Sequence, residues 1–180
     1  MKIAITGHTK GIGAALSDLL GKEHTILGFS RSNGYDISKA ESIDSIISSV
    51  LECDIFINNA YHDLSQVTLF EGVLALWHSN PNKTIVNINS KASYSPPNGR
   101  DYTKFKKVLR SSAVKAIADI DRKCRVININ PGYVTTERTV HAQEKYKMLS
   151  PEQLAVLIKW CIDQPQEIEI GEIGIWRTTM

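Results

Sequence analysis

The chain has 180 residues, 42% of them hydrophobic and 22% charged, enough to bury one core and short for two. Its net charge of +2 is dispersed, so composition gives no electrostatic case for nucleic acid or a membrane and favours a small or locally charged ligand. Cys53, Cys124 and Cys161 share no zinc-type or C-x-x-C spacing, so no metal is expected, and one at least stays unpaired in a monomer, which points to a reducing cytoplasm.

The N-terminal "MKIAITGHTKG" holds an apolar run too short for a signal peptide or a membrane span, and nothing directs the chain out of the cytoplasm. Short β-rich runs then alternate with segments of helical period, which predicts one α/β domain over 1–180. Its architecture would be a doubly wound parallel sheet in three α/β/α layers. Strands are predicted at Lys2 to Thr6, Thr25 to Phe29, Asp54 to Asn58, Thr84 to Asn89, Arg125 to Asn130 and Ile168 to Trp176. Helical stripes run through Leu16 and Leu20, Ile43 and Ile46, Phe70 and Val73, then Val108, Ala113, Ile117 and Ile120, and last Leu154 and Ile158. These stripes read as core. "SPEQLA" marks a helix start, with Ser150 as cap, Pro151 at the first helical position and Gln153 closing a capping box.

"ITGHTKGIG" joins the first strand to the first helix, with Thr6, Gly7, Gly11 and Gly13 in the pattern T-G-x-x-x-G-x-G. Glycines there let backbone N–H groups and the positive helix start approach a pyrophosphate with no Cβ in the way, although an ordinary Gly-rich turn has the same look. With this spacing the sequence resembles the short-chain dehydrogenases/reductases, a family of single-domain NAD(P)-binding Rossmann enzymes. The gap from Gly7 to Gly11 fits the reductases better than the sugar-nucleotide epimerases. The resemblance makes Gly7, Thr9, Lys10, Gly11, Ile12 and Gly13 cofactor-binding residues.

In "GFSRSNGYDIS" the second strand ends on Phe29, Ser30 and Arg31, with no carboxylate where NAD selection needs one. Arg31, with Lys10 as a second cation, suits a 2′-phosphate, and the expected cofactor is therefore NADP(H). The family runs a helix and a further strand before an Asp-hydrophobic pair that contacts adenine; here Asp36 and Ile37 follow almost at once. This implies a deleted helix and a third strand reduced to a stub, with an Asx turn at Asp36 as the competing reading. "IFINNAYHD" matches the family's Asn-Asn-Ala-Gly at Asn58, Asn59 and Ala60, but Tyr61 stands in place of the glycine.

Tyr102 and Lys106 form Y-x-x-x-K, which on a helix sets both side chains on one face. A phenol with a reference pKa near 10 shuttles protons at neutral pH only beside positive charge. Lys106 supplies such a charge. Ser90 lies twelve residues before Tyr102, close to the family spacing, where its hydroxyl would donate to a substrate carbonyl. Ser93 and Tyr94 are nearby, but Tyr94 has Asn98 four residues on and no lysine.

"NINPGYVTTER" matches P-G-x-x-x-T, so the resemblance adds Pro131, Gly132, Val134 and Thr136 as cofactor contacts on the nicotinamide side. The ordered motifs, with a tail "IEIGEIGIWRTT" like a last strand of these reductases, span nearly the whole chain. The family's helix asparagine has no counterpart in register, because the stretch from Asn59 to Ser90 is compressed; Asp63, Gln66 and Asn80 are all open as substitutes.

The expected activity is NADP(H)-dependent interconversion of a small-molecule carbonyl and an alcohol through Ser90, Tyr102 and Lys106. The alternative is a catalytically weak NADP(H)-binding sensor on the same fold. A homodimer or homotetramer follows from the resemblance. The loop from Thr136 to Leu149 is expected to lie over the substrate, and its His141 carries no assigned role.

Overall fold

Continuous burial along the central strands decides the architecture, since side chains on both faces of a parallel sheet must find a helix to cover them. The structure, a computed structural model, describes residues 1–96 and 98–177. The chain runs β1 (Lys2–Thr6), α1 (Gly11–Leu20), β2 (Thr25–Phe29), α2 (Ala40–Ser49), β3 (Ile55–Asn58), α3 (Ser65–Trp77), β4 (Thr84–Ile88), α4 (Asp101–Ile117), β5 (Arg125–Pro131), α5 (Pro151–Ile162) and β6 (Glu172–Ile175). All strands pair in parallel, in the order β2-β1-β3-β4-β5-β6. Thr178 and Thr179 of the predicted tail lie outside the described residues.

One face of the sheet presents Ala4, Phe56, Ile85 and Val126 to α2, α3 and α4, where Ile46, Phe70 and Leu109 meet them. The other presents Ile3, Ile5, Ile57, Val86 and Ile127 to α1 and α5. Each fully buried side chain of this size contributes about 1.5–3 kcal/mol. The box at Ser150 forms as its residues predict, with Ser150 Oγ accepting the Gln153 N–H at 3.2 Å and Gln153 Oε1 accepting the Ser150 N–H at 2.9 Å.

Three expectations need correction. The last strand begins at Glu172, not Ile168, because the Ile168 N–H turns back to Pro165 O. On α4 the buried stripe is Lys106, Leu109, Ala113 and Ala116, while Val108 is exposed and Ile120, beyond the helix, is 96% exposed. No stub strand forms at Asp36 and Ile37, so β2 is the edge of the sheet. A 3-10 turn over Arg31–Asn33 closes at Gly34 with φ +93°, and the chain enters α2 directly. Extension stops because Asp36 Oδ1 accepts the Ser38 N–H at 3.0 Å while Ile37 drops into the core.

A polar row crosses this sheet. Asn58, Asn87, Asn128 and Glu172 are register partners on adjacent strands. Asn58 Nδ2 donates to Asn87 Oδ1 at 3.0 Å, and Asn128 Nδ2 donates to Glu172 Oε2 at 3.0 Å. Arg110 and the Tyr94 hydroxyl complete the shell of Glu172. The three cysteines are free and buried, and burial pushes the Cys124 and Cys161 thiols up to about 11. Among the described residues no helix is long and apolar enough to cross a membrane, and no His, Cys, Asp and Glu cluster is set to hold a metal.

Candidate active site

The turn after β1 is shaped by what it lacks. Gly7 and Gly11 have φ of +69° and +52°, and a Cβ on Gly13 would lie 2.0 Å from Gly7 O. α1 therefore starts hard against the strand end. Lys10, its N-cap, contributes no side-chain bond, and the first turn holds no acid, so its leading N–H groups face outward unpaired by side chains. Thr9 is exposed beside them, and Ile12 packs on the α1/α5 core.

Thr6 Oγ1 accepts the N–H groups of Asn59 and Ala60 at 2.9 and 3.0 Å, and Asn59 Nδ2 donates to Thr6 O at 3.0 Å. The glycine turn and the Asn-Asn-Ala segment are thereby one unit. Ser30 is buried and its N–H is held by Asn33 Oδ1 at 2.8 Å, while Arg31 is exposed. The Ser38 N–H and hydroxyl, then the Arg31 charge, hold the Asp36 carboxyl below its ordinary range. Lys10 is engaged elsewhere: its Nζ pairs with Glu137 at 2.9 Å.

Tyr102 sits in the first turn of α4 with its ring partly exposed, and Lys106 lies one turn deeper, 3% exposed. The Lys106 Nζ is 5.7 Å from the Tyr102 ring centroid and donates to Gln66 Oε1 at 2.7 Å and Ile88 O at 3.0 Å. Burial, assisted by the charge of Arg138, pulls this ammonium down to about 7. Ile88 ends β4 two residues before Ser90, whose Oγ accepts the Ala92 N–H at 3.1 Å and keeps its own proton for a ligand. Ser93 is committed to Asn130 Oδ1, and Tyr94 to Glu172.

Of the three open substitutes for the helix asparagine, Gln66 is the one that reaches Lys106. It is 1% exposed, and its Nε2 donates to Asn58 O at 2.7 Å and Ile88 O at 3.0 Å, which turns Oε1 to the ammonium. Its signal was present in the sequence: Gln66 shares a helical face with Leu69, Phe70, Val73 and Trp77, an amide on an otherwise apolar stripe. Asp63 lies in the turn before α3 and Asn80 caps a turn through Asn82.

Tyr61 enters the same site. Its ring meets Tyr102 edge-on at 4.9 Å, and Lys106 Nζ stands 5.2 Å from its centroid. The loop after β5 closes the other side. Pro131 ends the strand, the Gly132 N–H donates to Ile175 O at 2.7 Å, and Val134 bridges to Leu149. Thr136 Cγ2 comes within 3.0 Å of where a Gly11 Cβ would be. The loop thus folds down on the glycine turn, with His141 exposed beyond it.

No family model matches this sequence, and no curated protein matches it. Solved structures do. A short-chain dehydrogenase from Burkholderia cenocepacia in complex with NADP is 17% identical, with a TM-score of 0.80 over 96% of this chain and 86% of that one. The 3-ketoacyl-(acyl-carrier-protein) reductase of Brucella melitensis, complexed with NADH, is 20% identical, with a TM-score of 0.79 over 97% and 96%. Serine dehydrogenase from Escherichia coli is 18% identical, with a TM-score of 0.75 over 97% of each chain. What is shared at these identities is the fold: the chain has the doubly wound Rossmann architecture of the short-chain dehydrogenases over nearly its whole length.

Proposed function

We propose that the chain is a short-chain dehydrogenase/reductase, an NADP(H)-dependent oxidoreductase that interconverts a carbonyl and an alcohol. The observation that carries this reading is the buried Lys106 ammonium, held by two neutral acceptors beneath the exposed Tyr102 phenol. The tight turn at Gly7, Gly11 and Gly13, where added Cβ atoms would crowd Asn59, Thr136 and Gly7 O, sets the start of α1 where it fits a dinucleotide pyrophosphate. Arg31 would take a 2′-phosphate, Asp36 and Ile37 the adenine, Asn59 and Ala60 the adenosine side, Lys106 the nicotinamide ribose, and Pro131 to Thr136 the carboxamide. The bound cofactor supplies or accepts the hydride.

Ser90 donates to the carbonyl oxygen and holds it beside Tyr102, which gives that oxygen its proton. Charged Lys106 makes the phenol a better acid by stabilising its phenolate. Gln66 acts through Lys106 as a positioning residue. A purified sample that oxidises NADPH with at least one aldehyde or ketone of a broad panel meets the expectation; tight NADPH binding with no turnover favours a sensor. Tyr61, packed on Tyr102, is the observation behind that second reading. A homo-oligomer belongs with the first reading, and Leu76 on α3 with Val108 and Val114 on α4 leaves apolar surface for it.

Three predictions arise here. Gln66→Glu places a carboxylate against the ammonium, so the Lys106 pKa is expected to rise by about one to three units from its value near 7. Lysine Cε chemical shifts, followed against pH, read this directly; an unmoved titration refutes the contact. Arg31→Ala is expected to remove the preference for NADPH over NADH. Glu137→Gln, which releases Lys10, should tighten NADPH about two- to fivefold, as isothermal titration would show.

A further inference from the structure

Three of the seven arginines are tied down among the described residues. Arg110 is gripped by Glu172, Arg122 by Glu169, and Arg125 by the Thr84 hydroxyl and the carbonyls of Ile162 and Gln164. Arg138 has no carboxylate or carbonyl partner among the described residues; its guanidinium lies 5.4 Å from the Tyr61 ring centroid. That ring is in edge contact with Tyr102 and lies 5.2 Å from Lys106 Nζ, so an unpaired cation stands at the catalytic end of the cleft. Its field reaches the Lys106 ammonium. Asp63 and Asp101 act on the Tyr61 phenol, yet neither forms an ion pair with Arg138 among the described residues.

The neighbouring residue points the other way. Glu137 reaches Lys10 on the glycine turn, while Arg138 reaches Tyr61, so this loop offers a carboxylate to the phosphate side and a guanidinium to the catalytic side. Tyr61 thereby acquires a purpose that glycine lacks, a π face on which the guanidinium rests. A planar fork of N–H donors held there matches a carboxylate.

We propose that Arg138 binds a carboxylate on the substrate, so that the compound presented to Ser90 and Tyr102 is an oxo acid, or in reverse a hydroxy acid, and not a neutral ketone. This rests on the oxidoreductase reading for the carbonyl, but its test needs no turnover. With NADP+ saturating, acetoacetate and levulinate are titrated by calorimetry against their methyl esters. The acids should bind about ten- to a hundredfold more tightly than the esters. Arg138→Met should abolish that preference, Arg138→Lys should keep part of it, and Arg100→Met should leave it intact. Acids and esters binding alike, neither binding, or a preference that survives Arg138→Met overturns the proposal. So does an Arg138→Met protein that loses NADP+ affinity and retains acid selectivity, since the guanidinium would then serve the cofactor's phosphates. Acid-selective binding without NADPH-driven turnover would instead leave Arg138 as proposed and refute the oxidoreductase.

Discussion

Tyr102→Phe is expected to lower turnover about a hundred- to ten-thousandfold, the usual range for a positioned general acid. The substitution removes one oxygen and keeps the ring that packs on Tyr61. The Tyr102 hydroxyl makes no hydrogen bond among the described residues, so neither the start of α4 nor the burial of Lys106 depends on it. Thermal stability and NADPH affinity should therefore stay close to wild type while kcat collapses. Single-turnover kinetics, with a dissociation constant measured on the same sample, separate these quantities. A mutant that keeps its rate would remove the phenol from the mechanism, and Ser90 alone has no proton acid enough to replace it.

Gly13→Ala should be the most damaging single methyl group in the molecule. Its Cβ would lie 2.0 Å from Gly7 O and 2.8 Å from Asn59 Nδ2, and the first of these is backbone that cannot rotate away. Relief requires α1 to back off from β1, which opens the pyrophosphate cradle. A loss of about 3 kcal/mol, or roughly 6–12 °C in Tm, is expected together with loss of NADPH binding. Gly99→Ala is the opposite case: Gly99 has a positive φ of +70°, which Gly13 does not, and a Cβ there meets nothing within 4 Å. Its Tm should fall far less. Equal losses in the two variants would show that the approach of helix to strand is not what makes Gly13 costly to replace.

Gly7, Gly11 and Gly13 were readable in the sequence because their requirement is local: residue type, spacing and flanking elements are all contained in nine residues. The box at Ser150 was readable for the same reason. Gln66 was not selected, since its contact with Lys106 depends on how α3 packs against α4 across forty positions of sequence. The stub strand failed on a close competition, in which one Asx turn at Asp36 and one buried side chain at Ile37 outweighed an extended run. Val108 and Ile120 read as core because apolar residues recur at three- to five-residue steps through Ala113 and Ile117; the true stripe carries a lysine, and a polar residue hides a stripe from any count of hydrophobes. Lys10 and Glu137 lie far apart in the chain, and no local pattern announces their pairing.

The row Asn58, Asn87, Asn128 and Glu172 has a consequence for folding. Strands made almost wholly of Ile and Val are nearly interchangeable one step along, so apolar burial alone discriminates poorly between pairing offsets. Amides placed at matched positions on β3, β4 and β5 act as a key. A one-residue slip would send an asparagine to the opposite face among alkyl side chains, each unpaired amide costing about 1–3 kcal/mol, and would part Glu172 from Arg110. The same amides that lie beneath the Lys106 site therefore select a single alignment of the sheet on which Tyr102, Ser90 and Lys106 converge.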